Sequence, residues 1–228
     1  MHAISPQLAL IQDELQIAAL TFMATVYALK IRWILRFRAG RDRQAPTGDA
    51  DAARGARYSL AAIAMPWAMP SARRHPLLYF QFVVFHLAVA ASIAMSFLIP
   101  YAPQAIAHPI IVRGLQALFA AGLAVGLLRL TRRLRDPYVR AISTPDDYFS
   151  LALLLVWLAL SILAAPNRPD LGEGPLLAYF LLTAFLLVYV PFSKISHYIY
   201  YPFARWYLGR TLGHRGVYPL KRSRPAQA

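Results

Sequence analysis

LLYFQFVVFHLAVAASIAMSFLIP, residues 77–100, runs for 24 positions without a charged side chain, and a single histidine, His86, sits inside it. A helix of about 20 residues crosses the roughly 30 Å hydrocarbon layer of a bilayer, so this stretch reads as a membrane span. Four further stretches are also long enough to cross, at residues 14–35, 109–130, 147–165 and 175–201. The composition agrees: 58% of the residues are hydrophobic and 15% charged, with a mean hydropathy of +0.44, far from a soluble domain. The expected fold is all-α, an integral membrane bundle of five transmembrane helices. Residues 1–201 are expected to form this domain, with a cytoplasmic loop at 36–76, and residues 202–228 a basic cytoplasmic tail.

Charge sets the expected orientation. Of the 24 Lys and Arg, 22 fall in residues 30–76, 129–140 and 194–228, leaving Arg113 and Arg168. The positive-inside bias puts those three regions in the cytoplasm, the N terminus outside and the C terminus inside. Asp13, Glu14, Asp170 and Glu173 make the opposite side mildly acidic. The expected location is the cell's inner (cytoplasmic) membrane, crossed several times. The net charge of +14 therefore follows topology, and nucleic-acid binding is not expected, because the basic residues flank spans. Residues 1–13 carry no Lys or Arg, so the first span is expected to stay in the mature chain rather than act as a signal peptide. With no cysteine, the chain has no disulfide, thiolate-bound cluster or cysteine nucleophile. No phosphate loop, catalytic triad or zinc spacing is present.

The shorter segments divide by composition. AGRDRQAPTGDADAARGAR, residues 39–57, reads as a flexible loop. YSLAAIAMPWAMP, 58–70, is apolar, too short to span and interrupted by Pro66 and Pro70, so it is expected at the interface with Trp67 among the headgroups. FARWYLGRTLGHRGVYP, from 203, alternates basic, aromatic and glycine residues, which suits either an anchor on anionic lipid or a docking surface for a cytoplasmic subunit. STPDDY, 143–148, pairs two carboxylates but reads as a helix start, with Thr144 capping, Pro145 in the first helical position and Asp146 and Asp147 in the first turn. Gly122 and Gly126 read as a close-packing face that also leaves room for a flat cofactor.

Two histidines, His86 and His197, fall inside these apolar stretches. A histidine in hydrocarbon needs a partner for its ring, and a pair suggests either interhelical hydrogen bonds or two imidazoles on a haem iron. His86 is five residues inward from Gln81 and His197 three residues beyond Lys194, so both belong to the inner half of the membrane. Arg73, Arg74, Ser193 and Lys194 are placed to meet haem propionates, and Phe82, Phe85, Ala90, Tyr198 and Tyr201 flank the two rings. His75, His108, His2 and His214 are weaker candidates at boundaries or termini, although His75 shares a helical face with His86.

PFSKISHYIYYP at 191–202, taken with Phe85-His86, resembles the gamma subunit of respiratory nitrate reductase. It is also similar to related membrane cytochrome b subunits of heterodisulfide-reductase-like and sulfite-reduction-associated complexes. The resemblance covers most of the chain. It implies a subunit that anchors a cytoplasmic iron-sulfur protein and passes electrons between quinone and that partner through haem b, with His86 and His197 ligating the haem nearer the cytoplasm. The family's outer ligand pair falls here on Ser96 and Tyr179, neither of them a usual b-haem ligand, so one haem b is expected and the outer one missing. Quinone is then expected to react in the inner half, the less favoured arrangement being an outer quinone touched by Tyr179, Thr183 or His108.

The function expected from the sequence is thus a respiratory-chain membrane anchor that is not catalytic alone, with a catalytic subunit and an iron-sulfur subunit bound at its basic cytoplasmic face. The competing expectation is a haem-free anchor or small transporter whose histidines hydrogen-bond between helices or relay protons.

Overall fold

The computed structural model describes residues 4–37, 40, 42–46, 49–65 and 73–220. Among them, the regular structure is helical and no strand occurs. Nine α-helices are described: α1 Pro6–Gln12, α2 Glu14–Arg36, α3 Ala52–Ala64, α4 Pro76–Tyr101, α5 Pro109–Arg135, α6 Pro137–Ala141, α7 Pro145–Ala164, α8 Gly174–Tyr189 and α9 His197–His214. Five helical runs are long and apolar enough to cross a membrane: Pro6–Arg36, Pro76–Tyr101, Pro109–Arg135, Pro145–Ala164 and Gly174–Phe192. The first takes in α1 as well as α2, so it begins earlier than the apolar pattern suggested. Pro66, Trp67 and Pro70 lie outside the described residues, as do His2 and the last eight residues of the tail.

Proline opens α1, α4, α5, α6 and α7, where its missing N–H costs nothing because that group has no helical acceptor. Caps from neighbouring side chains complete several of these starts. Ser5 Oγ accepts from the Leu8 N–H at 3.1 Å, Asp136 Oδ1 accepts from the Tyr138 N–H at 2.9 Å, and His108 Nδ1 accepts from the Ile110 N–H at 3.3 Å. STPDDY caps α7 as its pattern predicts: Asp147 Oδ2 accepts from both the Thr144 N–H at 2.7 Å and its hydroxyl at 2.9 Å. Arg132, Arg133 and Arg135 occupy the last turn of α5, where the helix dipole favours cations.

The chain divides into two compact units. The first holds residues 1–31 and 77–195, and the second residues 32–76 and 196–228. In the first unit, α5 packs on α7, α7 on α8 and α8 on α1. Its centre is built of Phe119, Leu158, Met95, Tyr179 and Phe180, all fully buried. Gly122 and Gly126 do form a close-packing face: a Cβ on Gly122 would lie 2.4 Å from that of Ala88, and one on Gly126 would lie 2.4 Å from a Leu155 methyl and 3.0 Å from the Phe85 ring. Ser5 hydrogen-bonds the Glu173 carboxylate through its N–H at 2.7 Å and also through its hydroxyl, tying the start of α1 to the turn before α8. These bonds hold the Glu173 carboxyl below the usual carboxylate range.

The second unit departs from the loop expected over 39–57. Residues 52–57 belong to α3, capped by Asp51, whose Oδ1 accepts from the Arg54 N–H at 2.9 Å. α3 lies against α9, and the contact depends on glycine. A Cβ on Gly55 would meet the Gly209 carbonyl oxygen at 2.3 Å and the Gly213 Cα at 2.5 Å, so the two backbones touch directly. Gly209 and Gly213 are four residues apart and therefore share a face of α9, the small-residue spacing that lets helices approach closely. Arg205, itself buried, donates through Nε and Nη2 to the Ser59 carbonyl at 3.2 and 3.1 Å. The Asp42–Arg215 ion pair adds a further tie, Nε to Oδ2 at 2.7 Å.

Replacing Gly55 by Ala is expected to destabilise the protein by about 1–3 kcal/mol, the usual range for overpacking against atoms that cannot yield. Gly114→Ala has open space around it and is expected to be neutral or stabilising by up to about 1 kcal/mol from helix propensity. Thermal unfolding of both variants in detergent, followed by helical circular dichroism, checks the contrast.

The Arg215 guanidinium beside Asp42 holds its carboxyl below the usual carboxylate range. A carboxyl depressed on folding contributes stability above its unfolded pKa, and that contribution is lost as pH falls through the folded value. Asp42→Asn is therefore expected to lose less thermal stability than the wild type when the pH is taken from 6 to about 3. Melting curves across that interval check it.

Candidate functional site

The ring of His86 is oriented by its own helix. Its Nδ1 lies 2.8 Å from the carbonyl oxygen of Phe82, one turn earlier in α4. A carbonyl can only accept, so Nδ1 carries the proton in this bond, the tautomer in which a neutral imidazole has its acceptor at Nε2. The Phe82 ring lies against the imidazole with centroids 3.9 Å apart, and Phe85 meets it edge-on at 6.0 Å. The histidine is half-buried, with its tautomer set and its rotation restricted.

His197 has a different setting from the one its apolar surroundings suggest. The fifth span was expected to continue to residue 201, but α8 ends at Tyr189, followed by 3-10 turns at Val190–Phe192 and Lys194–Ser196. Between them Ser193 is extended, with φ −104° and ψ 171°. Pro191 explains the interruption, because its ring removes a backbone donor and collides with the carbonyl four residues earlier. His197 is consequently the first residue of α9, and it is exposed. It belongs to the second unit, as do Arg73 and Arg74, whereas His86, Ser193 and Lys194 belong to the first. Arg73 and Arg74 are exposed.

The segment after Pro191 is held by the two carboxylates of STPDDY, and in this the helix-start reading of that motif was incomplete. Asp146 Oδ2 accepts from the Lys194 backbone N–H at 2.9 Å, while its Oδ1 accepts from the Ser150 hydroxyl at 3.2 Å and from the Tyr189 hydroxyl. Asp147 Oδ2 accepts from Lys194 Nζ at 2.6 Å and lies 3.7 Å from Arg133 Nη1. Lys194, expected to face a propionate, thus has a protein carboxylate beside it. Ser193 Oγ donates to the Val190 carbonyl at 3.1 Å and accepts from the Ile195 N–H at 3.2 Å. Lys30 reaches the same place, donating to the Pro191 carbonyl and lying 4.8 Å over the Phe192 ring. The sequence carried a faint signal for this latch: an acidic pair at the start of one span and a lone lysine just past the end of the next, at the same end of two antiparallel helices.

Ser96 and Tyr179, where the sequence resemblance would put an outer ligand pair, both hydrogen-bond within the protein. Tyr179 is fully buried and donates to the Ser92 carbonyl at 2.6 Å. Its ring lies parallel to that of Trp157, with centroids 6.2 Å apart. Trp157 Nε1 donates to Thr183 Oγ1 at 2.8 Å, and Thr183 donates in turn to the Tyr179 carbonyl at 2.7 Å. Ser96 donates to the Ile93 carbonyl at 2.7 Å. Tyr179 and Thr183 are thus engaged within the bundle, and His108 caps α5.

Among the described residues, no group of three or more His, Asp or Glu is clustered to hold a metal ion. A bis-histidine haem needs no such cluster, because the macrocycle supplies four of the donors and the protein two. The chain matches no family model, no curated protein and no solved structure.

Removing the latch should loosen the break. In the Asp146→Ala Asp147→Ala variant, trypsin is expected to cut after Lys194 at least several-fold faster than in the wild type, as local opening becomes easier. Mass analysis of the fragments over time checks this, and an unchanged rate would mean that the carboxylates do not hold the segment.

Proposed function

We propose that this multi-pass membrane chain is the haem b-binding electron-transfer subunit of a larger oxidoreductase, exchanging electrons between quinone and a cytoplasmic iron-sulfur partner. The observation that carries the reading is the hydrogen bond from His86 Nδ1 to the Phe82 carbonyl within an apolar span. A haem-ligating histidine needs its distal ring nitrogen deprotonated and its ring held, and a carbonyl partner on Nδ1 meets both needs. His197, the counterpart in the sequence resemblance, is proposed as the second imidazole. A bound haem b would supply reversible one-electron chemistry. The chain's own contribution is to fix the His86 tautomer, to hold its ring against Phe82 and Phe85, and to offer His86 and His197 as the imidazoles that would hold the haem.

Three further observations support the details. Ser96 and Tyr179 hydrogen-bond within the bundle, which favours a single haem. Arg132, Arg133 and Arg135 end α5, which supports placing this end of the bundle in the cytoplasm, where an acidic partner surface would find cations. The polar side chains Ser92, Ser161, Trp157 and Thr183 are bonded to one another across helices, an arrangement that favours a fixed electron-transfer scaffold over a transporter with moving helices.

Spectroscopy of the purified chain in detergent decides the reading. The dithionite-reduced minus oxidised spectrum should show a b-type alpha band, and the pyridine haemochrome should give about one haem per chain. His86→Ala and His197→Ala should each abolish the band, while His75→Ala and His108→Ala should keep it. No band in the wild type would leave a haem-free membrane anchor, and a ratio of two would overturn the single-haem assignment.

A further inference from the structure

The second unit contains a groove of about 930 Å³. One wall is the end of α2, through Ile34 to Phe37, and another is a single face of α9 bearing Phe203, Trp206, Tyr207, Arg210 and His214. Those five positions step by three, one, three and four residues, the spacing of one helical face. Along that face the chemistry changes: its first part is aromatic, and its last part carries a guanidinium and an imidazole. The distance from Phe203 to His214 is about 16 Å at the rise of an α-helix.

The net charge of the groove is positive. Asp42 also lines it, but its carboxylate is held by Arg215, with Nε to Oδ2 at 2.7 Å and Nη2 to Oδ1 at 3.2 Å. Arg210 is exposed and sets the sign of the groove. The surroundings reinforce it, since the second unit holds fifteen Lys and Arg against three Asp and no Glu. The position is also defined. The wall from α2 is the last turn of the first membrane-spanning run, which ends at Arg36. The groove therefore lies at the level where hydrocarbon gives way to headgroups, the depth at which Trp and Tyr side chains favour a bilayer.

From this gradient we infer that the groove binds an anionic phospholipid, with its phosphate on Arg210 and His214 and its acyl chain along Phe37, Phe203 and Trp206. A long apolar body with a compact anionic head matches both ends of the groove. A zwitterionic lipid would bring its own cation toward Arg210, a free anion would leave the aromatic wall uncovered, and a quinone ring would offer the guanidinium no charge. Arg210 donates to the phosphate oxygens in charge-assisted hydrogen bonds, and His214 adds a ring donor beside it. The site uses neither His86 nor His197, so it stands or falls separately from haem binding.

Native mass spectrometry of the full chain, stripped of lipid in a neutral detergent, tests the inference. Phosphatidylglycerol should be retained at about tenfold lower concentration than phosphatidylcholine, the difference one charge-assisted contact makes. The double variant Arg210→Gln His214→Asn should lose that preference while keeping the wild-type melting temperature. Arg140→Gln, a basic substitution in the first unit, should keep the preference. Inorganic phosphate should not displace the lipid. Equal retention of the two lipids, or a preference that survives in the double variant, would overturn the site. Displacement by phosphate alone would reassign it to a free anion, and displacement by a short-chain quinone would reassign it to that ligand.

Discussion

Inside hydrocarbon a polar group has only the protein to bond to, and the first unit is arranged around that constraint. Gln16 reaches from α2 to the Phe180 carbonyl at 2.8 Å, and Gln116 from α5 to the Ile162 carbonyl at 3.0 Å. Ser92 meets Ser161 at 2.6 Å across α4 and α7, while Trp157 and Tyr179 find a hydroxyl and a carbonyl. Each bond joins two helices that have no hydrophobic reason to prefer each other over lipid, so shape and these few contacts select the partners. The same constraint applies to His86. Its Nδ1–H takes the Phe82 carbonyl one turn back in the same helix, and in a neutral ring that choice makes Nε2 the acceptor nitrogen.

The break after α8 shows what the bundle does where its helices stop. Pro191 ends the α-helical ladder, and the freed backbone has to be satisfied locally. The Lys194 N–H goes to Asp146, and the ammonium of the same residue goes to Asp147. One pair of carboxylates thus serves as the first turn of α7 and as the anchor of the following irregular segment. A helix start with two acidic residues needs no tertiary explanation, which is why the second role did not show in the motif itself.

Spans were legible because uninterrupted apolar length is a strong signal, and the boundaries of α4, α5 and α7 fall within a few residues of where composition ends them. The fifth was overextended because PFSKISHYIYY stays apolar and aromatic through the break, so hydropathy outweighed a single proline. α3 was missed in part because Ala, Gly, Asp and Arg without a clear period read as loop. Its stability comes from the partner helix rather than from its own pattern. The spacing of Gly209 and Gly213 was the available clue, and it is the same spacing that was recognised at Gly122 and Gly126. His86 stood out in the sequence, whereas the Phe82 carbonyl that orients it is a backbone group invisible to residue type. Arg210 and His214 read only as part of a basic, aromatic tail, since nothing in the order of residues reveals that the end of α2 faces them.

The glycine contact between α3 and α9 also bears on how the chain is made. Gly55 and Gly209 are separated by most of the sequence, and all the spans after the first emerge between them. Synthesis runs from the N terminus, so α3 leaves the ribosome before α9 exists and can meet its glycine face only when residues 197–214 have been made. A contact of such sequence separation forms late. The contact between α3 and α9 therefore closes only once every segment between them has been made, so it tells a chain that has reached α9 from a shorter one.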